Sequence, residues 1–346
     1  MTAERDGVAQ DAPTQVFADH RELLFSVVYN MLGSVADTED VLQDTWLSWA
    51  ARSGDTAAEE ITNPRGYLVR IAVNAALARR AEIHRRRETY VGPWLPEPLL
   101  TDAPATGSRH RPADPAEPAL RAESVSMALL VVLETLTPLE RAVFVLHEVF
   151  GYPHTEIAQI LDRSPAAVRQ LARRACGHVR ARRPRYRADS GLQRRATERF
   201  LAAALGGDLE ALMEILAPDV TLWTDGGGKG RSAALRPLHG RDKVARAIAG
   251  SVAHRVPDGI DVRYRTVNGD PSAVLLSDDA PFAVMVVDLT ADGDQVAGVY
   301  AVTNPDKLTH VTGDTADAAD AAPDPGPGPG PVTPRTSKNR ARPGDR

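Results

Sequence analysis

Nine arginines and no acidic residue occupy Arg163–Arg187, a stretch that begins in the tight turn between two amphipathic segments and runs through the second. Residues of that type at that density suit the phosphates of a nucleic acid. Thr155-Glu156-Ile157-Ala158-Gln159-Ile160-Leu161 forms the first segment and Asp162-Arg163 the turn. Ser164-Pro165 then caps a second helix, with proline at its first position. Val168, Leu171, Ala172, Ala175 and Val179 share its apolar face, leaving the polar residues to point elsewhere. In a helix-turn-helix, the second helix reads base edges with its N-terminal residues and phosphates with its basic ones. Ala166, Ala167, Arg169 and Gln170 are therefore candidates nearest the bases, with Arg173 and Arg174 nearer the backbone and Ser164, at the cap, completing the set. A plain helical hairpin is the competing reading; the arginine run favours DNA.

Charge is unevenly spread elsewhere too. The whole chain carries a formal −5 with a pI near 6.0, an average that argues against a histone-like binder. From Met1 to Thr62, however, twelve acidic residues stand against three arginines, and from Asn63 to Tyr90 seven arginines stand against two glutamates. In the acidic stretch Asp37 offers an N-cap with Asp40 three residues on, ahead of an apolar stripe of Val41, Leu42, Thr45, Trp46 and Trp49. Asp40, Gln43, Asp44 and Leu47 share the opposite face, which suits a basic helical partner or simply water. In the basic stretch Asn74 follows an apolar helix and precedes Arg79 and Arg80. Read alone, it is an ordinary helix asparagine, and Tyr67 is equally a core residue or a stacking platform.

Beyond Arg187 the chemistry thins out. Asp225, His239, His254 and Tyr264 are candidate pocket groups, but their spacing establishes no acid–base pair. Asp225-Gly226-Gly227-Gly228-Lys229 lacks the spacing and the Ser/Thr of a phosphate loop and reads as a turn whose glycines take positive φ. His147 and His154 do not make a metal site. One cysteine, Cys176, excludes a disulfide framework and a cysteine-rich zinc centre. The reading is non-catalytic, with no cofactor and no metal. No apolar run reaches the ~18 residues of a membrane span, and no secretory leader is visible, so the expected compartment is the cytoplasm.

The elements that must position these residues fall into three folded segments. Val91–Ala119 is Pro-rich and reads as a linker, and the Pro-Gly alternation from Pro325 to Pro331 as part of a disordered tail. The expected organisation is a flexible 1–15, an all-α segment 16–90, a linker 91–120, a second all-α segment 121–187, an α+β module 190–308 and a tail 309–346. Thr137-Pro138-Leu139-Glu140 is a capping box that starts a helix in the second segment. In the third, helices at 192–206, 208–216 and 241–254 alternate with strand-like runs at 219–224, 232–238, 261–267, 273–277, 281–289 and 296–302. That order suggests helices on a mostly antiparallel sheet.

Three strings carry a resemblance. Asp37-Thr38-Glu39-Asp40-Val41-Leu42-Gln43-Asp44-Thr45-Trp46 resembles the part of bacterial sigma factors that docks on core RNA polymerase. Asn63-Pro64-Arg65-Gly66-Tyr67-Leu68-Val69-Arg70-Ile71-Ala72-Val73-Asn74 resembles the segment that opens and reads the −10 element. The capping box and helix-turn-helix resemble the domain that reads the −35 element. Their order is that of the extracytoplasmic-function group. Trp94-Leu95-Pro96-Glu97-Pro98, Asp225–Lys229 and Asn304-Pro305-Asp306-Lys307-Leu308 are similar to strings of its SigJ-like subgroup, whose members carry a fused C-terminal SnoaL-like domain, a cone-shaped α+β barrel.

The resemblance implies a sigma factor whose partners are core RNA polymerase and promoter DNA. It assigns polymerase binding to Asp37, Asp40, Gln43, Asp44 and Leu47. The −10 element falls to Arg65, Tyr67, Asn74, Arg79 and Arg80, with Asn74 holding a flipped base. The −35 element falls to the recognition-helix set. The three SigJ-like strings become contacts through which the fused domain modulates activity in cis, so that no separate anti-sigma protein is required. The alternatives are a ligand-sensing or catalytic module fused to a DNA-binding regulator, and a simple repressor, which has no need of the acidic face.

Overall fold

Helical spacing in the N-terminal segment becomes three packed helices in the computed structural model, which describes residues 3–53, 61–87, 89–101, 125–182, 189–229 and 234–311. Helix α1 (Ala3–Leu32) starts inside the stretch expected to be flexible. It buries Leu24, Val27, Val28 and Met31 against Val41, Leu42 and Trp49 of α2 (Val35–Ser53) and Leu68, Val69, Ala72 and Ala76 of α3 (Pro64–Arg87). Gly33 ends α1 at φ +71°, the left-handed turn that glycine adopts freely. Helix α2 starts two residues before the expected cap, Asp37. Ser34 Oγ accepts from Asp37 N (3.3 Å), and the Glu97 carboxylate takes Val35 N at 2.7 Å. The anion at this helix end comes from the linker, which local spacing does not reveal.

The second segment builds α4 (Met127–Leu133), α5 (Pro138–Phe144), a π-helical turn (Val145–Val149), α6 (His154–Leu161) and α7 (Pro165–Arg182). Thr137 and Glu140 form the expected capping box at the start of α5. Asp162 closes α6 at φ 51°, and Ser164 Oγ accepts from Ala167 N (3.2 Å) to start α7. The two all-α segments share one continuous core: Leu130, Leu133, Val145, Leu146, Ile157 and Ile160 join the residues of α1–α3.

A fully buried arginine lies in that shared region. Arg141 donates from Nε to Asn30 O (2.8 Å) and pairs with Glu134, which also meets Arg80 at 3.5 Å. Buried charges of this kind add little net stability but penalise any other packing that would leave one unpaired.

The third segment holds α8 (Ser190–Leu205), α9 (Leu209–Ile215) and α10 (Arg241–Arg255) with strands β1 (Leu216–Asp225), β2 (Leu238–His239), β3 (Asp261–Val267), β4 (Asp270–Ser277), β5 (Ala280–Leu289) and β6 (Val296–Val302). Among the described residues the strands form one sheet in the order β2-β1-β6-β5-β4-β3. All neighbours are antiparallel except β1 and β6, which run parallel. Of the expected 232–238 run, among the described residues only Leu238 joins it, together with His239 just beyond the run.

Side-chain alternation puts Ala273, Leu275, Val287 and Val299 under the helices, with Phe200, Leu212, Val244 and Ile248. Val274, Leu276, Val284, Val286, Tyr300 and Val302 face the other way. There they meet Leu95 of the linker and Met127 and Ala128 of α4. Both faces of the sheet are thus buried, one of them by parts of the other segments. The Pro-Gly run, the residues from 312 onward and most of the Pro-rich stretch lie outside the described residues.

Glu140 joins α5 to α7: its carboxylate accepts from the Thr137 hydroxyl (2.8 Å) and from Arg174 Nε (2.9 Å). Burial pushes its carboxyl up, but the bonds from Thr137 and Arg174 outweigh that and hold it below its ordinary value. A depressed carboxyl stabilises the fold above its unfolded-state value, and that stabilisation is lost as pH falls. Thr137→Ala should cost about 1 kcal/mol at neutral pH, and less in acid strong enough to protonate Glu140, whose carboxyl is held below its ordinary value. Urea denaturation of both proteins at the two pH values measures the difference.

Candidate functional site

Helix α2 turns Asp40, Gln43, Asp44 and Leu47 outward, and Leu47 keeps 57% of its surface exposed although it is apolar. An exposed leucine ringed by acid and amide groups is a surface made for a partner with basic and apolar groups of its own. Asp37 is half-buried, because Arg79 of α3 reaches across to it. Arg79 bonds Asp37 (2.9 Å), Asp40 (2.5 Å) and Glu82 (3.3 Å). The arginine assigned to DNA therefore braces the acidic helix, and two of the acids assigned to polymerase are already partly neutralised.

The other residues of the −10 set lie along α3, and most face the second segment. Arg65 is half-buried with its guanidinium 5.3 Å from the centre of the Tyr152 ring. Tyr67 is half-buried and tilts against Trp49 at 6.1 Å, so it contributes to the core. Asn74 keeps exposed surface, yet its amide nitrogen donates to Arg70 O (2.9 Å) and to Ile160 O (3.2 Å). Arg80 is 7% exposed and spends its guanidinium on Met31 O (2.8 Å) and Glu134. In this arrangement Arg80 cannot touch a nucleic acid. The charge count placed it in a basic block but carried no information on which face it occupies.

The recognition-helix set is placed very differently. Ser164, Ala166, Arg169, Gln170, Arg173 and Arg174 are all exposed, while Ala167 is half-buried beneath the Ser164 cap. Arg174 is tethered to Glu140, which fixes its guanidinium near the start of α5. Arg169, Gln170 and Arg173 leave a cationic, hydrogen-bonding surface on the outer side of α7, of the kind a major groove accepts.

The three remaining strings converge on Asp225, at the end of β1 and fully buried. One carboxylate oxygen accepts from Tyr90 OH (2.5 Å) and Gly227 N (3.2 Å), and the other from Leu95 N (2.8 Å) and Lys307 Nζ (2.7 Å). Lys307 also bonds Leu95 O and lies 3.9 Å from the centre of the Trp94 ring, a cation–π contact. Asn304 donates to Tyr90 OH (3.0 Å). Burial first, and the neighbouring carboxylate second, push the Tyr90 phenol well above its ordinary value, so it stays a donor.

Glycine is required beside this network. Gly227 sits at φ +59°, where a Cβ would lie 2.5 Å from Asn304 Nδ2, and Gly228 at φ +74°, where one would press on Val91. At the turn's end Lys229 pairs with Asp306 at 2.6 Å.

From Leu95 the linker continues to the start of α2. Leu95, Pro96, Glu97 and Pro98 are buried. Glu97 accepts from Ser34 Oγ (2.9 Å) and Val35 N, and its carbonyl accepts from Tyr29 OH at 2.6 Å. Tyr29 OH in turn accepts from Asn268 Nδ2 at 2.7 Å, at the turn between β3 and β4. Asn268 N also holds Leu99 O (2.8 Å), and Thr101 N holds Thr266 O (2.9 Å), so the linker covers the end of edge strand β3.

The candidate catalytic groups do not assemble. Asp225 has both oxygens occupied by hydrogen bonds from within the protein. His239, on the short outer strand β2, bonds Thr221 of β1 (3.0 Å), His254 bonds Gly250 O near the exposed end of α10 (2.9 Å), and Tyr264 of β3 lies under Arg194 of α8. His147 and His154 stack at 4.1 Å, but among the described residues no three His, Cys, Asp or Glu side chains are grouped as metal ligands. Residue spacing missed Tyr29, Tyr90, Glu134, Arg141 and Asn268, whose partners lie 68 to 239 positions away or in another segment. The signal available was Arg141 at the head of the apolar run Ala142–Leu146.

Comparison with known proteins follows the same division. Residues 16–87 match the family model for Sigma-70 region 2, and residues 126–179 that for Sigma-70 region 4. The chain is 36% identical over 296 residues to the ECF RNA polymerase sigma factor SigJ of Mycobacterium tuberculosis, covering 84% of this chain and 91% of that one. It is 31% identical over 212 residues to the probable ECF RNA polymerase sigma factor SigI of the same species, covering 61% and 69%. The crystal structure of M. tuberculosis SigJ superposes with a TM-score of 0.64 at 35% identity, over 86% of this chain and 98% of that one. Among the described residues no helix is long and apolar enough to cross a membrane. A region-2 module, a region-4 helix-turn-helix and a C-terminal α+β extension shared along nearly the whole of SigJ identify this chain as a member of the extracytoplasmic-function RNA polymerase sigma factors, non-enzymatic proteins that direct transcription initiation.

Proposed function

We propose that this sigma factor docks on core RNA polymerase through Asp40, Gln43, Asp44 and Leu47, with Asp37 and Arg79 bracing that helix. It reads the −35 element with Ser164, Ala166, Ala167, Arg169, Gln170 and Arg173, and the −10 element with Arg65 and Asn74. The C-terminal module modulates the other two in cis by holding the interdomain linker, without a separate anti-sigma protein, in the cytoplasm where polymerase works. The observation that carries the regulatory reading is the buried Asp225, whose carboxylate binds Leu95 N and Tyr90 OH from the linker side and Lys307 from its own module.

A ligand-sensing or catalytic third module is not favoured. One face of its sheet is filled by helices and the other by Leu95, Met127 and Ala128, and its buried acid is saturated.

Two measurements test these roles. In a pull-down with core polymerase, Asp44→Arg and Leu47→Arg should each abolish most binding, because a charge is reversed or buried at the contact. Arg169→Ala should leave core binding intact and weaken binding to promoter duplex. Retention of core by both helix α2 variants would remove the docking assignment.

The latch has its own measurement. Lys307→Met leaves a buried carboxylate uncompensated and should cost about 3–5 kcal/mol, read as a lower melting temperature, while adding Asp225→Asn should recover much of it. Promoter-complex formation by the double variant should differ from wild type; identical activity would count against regulation through this contact.

A further inference from the structure

Region 4 carries a stacked pair of histidines beside its recognition helix. His147, in the π-helical turn, and His154, the first residue of α6, are both half-buried, and their ring centres lie 4.1 Å apart. His147 donates from Nδ1 to Tyr152 O (2.9 Å), since a carbonyl can only accept, and this bond fixes its ring. His154 differs: among the described residues neither of its ring nitrogens meets a hydrogen-bond partner. His20 and His178, by contrast, each engage a ring nitrogen inside the protein, with Val16 O and with Thr135.

The charges around His154 come from three elements. Removal from water first, then the His147 ring and the Arg169 guanidinium of α7, hold its imidazole below its ordinary value, while Glu148 of the π-helical turn acts the other way. Glu148 also accepts from the Cys176 thiol of α7 at 3.3 Å, and on α6 itself Glu156 is exposed. The free protein therefore keeps His154 neutral beside an exposed arginine.

A phosphate reverses that balance. A helix-turn-helix that lays its second helix in the major groove carries its first across the sugar-phosphate backbone. An anion drawn in by Arg169 cancels the charge that disfavours the imidazolium, and a protonated His154 adds a charge-assisted N–H donor to it. Because the ring is already stacked on a fixed partner, little freedom is lost when it makes that bond.

We infer that His154, oriented by its stack on His147, is a further contact to a backbone phosphate of the −35 duplex and takes up a proton as the duplex binds. Uptake of a proton on binding means that −35 engagement strengthens as pH falls through the histidine range, by at most about tenfold per pH unit. The inference rests on the assignment of Arg169 to the −35 element.

Holoenzyme assembled from core polymerase and the full-length protein is titrated onto a duplex that the wild-type holoenzyme itself selects from random-sequence DNA. Nuclease footprinting of the −35 element is read at about pH 6 and about pH 8, either side of the ordinary histidine value. Each variant is compared with wild type at the same pH, so that any response of the core enzyme cancels. His154→Asn should bind like wild type at the higher pH and about fivefold more weakly at the lower. His154→Arg, with a fixed charge, should exceed His154→Asn by that factor at both.

A wild-type-to-asparagine ratio that does not move with pH overturns the inference, as does an arginine variant no better than asparagine, the pattern of a merely structural residue. If His154→Asn fails to fold, the ratio of wild type to His154→Arg decides, and it must rise as pH falls. Arg169→Ala separates the two levels. A full footprint with that variant removes the −35 assignment itself, whereas a weakened footprint with flat histidine ratios removes only the proton-linked contact.

Discussion

A carboxylate with no exposed surface must have its charge and its lone pairs answered by the protein, and at Asp225 most of the answers come from outside its own strand. Lys307 supplies the countercharge from the end of the same module, while Tyr90 OH and Leu95 N supply donors from the chain that joins regions 2 and 4. Desolvation of one side chain thus ties the linker to the third module. Leu95 enters the lower sheet core, and Glu97, two residues on, delivers its carboxylate to the first turn of α2. The three SigJ-like strings, far apart along the chain, are parts of one buried polar site.

Polar groups at the boundary of regions 2 and 4 do different work. Arg141, Glu134 and Arg80 form a buried charged group whose backbone partners, Asn30 O and Met31 O, lie at the end of α1. Such a group selects one register of packing more than it strengthens the packing itself. Apolar residues of both regions complete a common core around it, so the two segments behave here as one body. Arg169 and Arg173 of α7 and Leu47 of α2 stay exposed, whereas Arg65 and Arg80 of α3 are turned inward.

Much of the local structure was legible in advance. Capping boxes, a proline at a helix start and period-two alternation act over a few residues, so Thr137–Glu140, Ser164–Pro165 and strands β3 to β6 fall close to where spacing puts them. Positive φ at Gly227 and Gly228 agrees with the turn read from Asp225–Lys229. The start of α2 was not legible, because Glu97 supplies the cap from the linker. Nor was the split among the arginines. Arg169 and Arg173 stay in solvent, whereas Arg80 and Arg141 are buried beside carbonyls and Glu134, and a charge count treats all four alike.

Residue types and short-range spacing by themselves determined the helices, the strands, the helix-turn-helix and the order of acidic and basic blocks, since those depend on interactions within a few positions of each other. Only the tertiary structure decided which of those surfaces is free. Arg65 is half-buried against Tyr152, Asn74 stays exposed while its amide bonds Ile160 O, and Asp225 becomes an anchor instead of an acid, because burial and hydrogen bonding are settled by neighbours tens to hundreds of residues away.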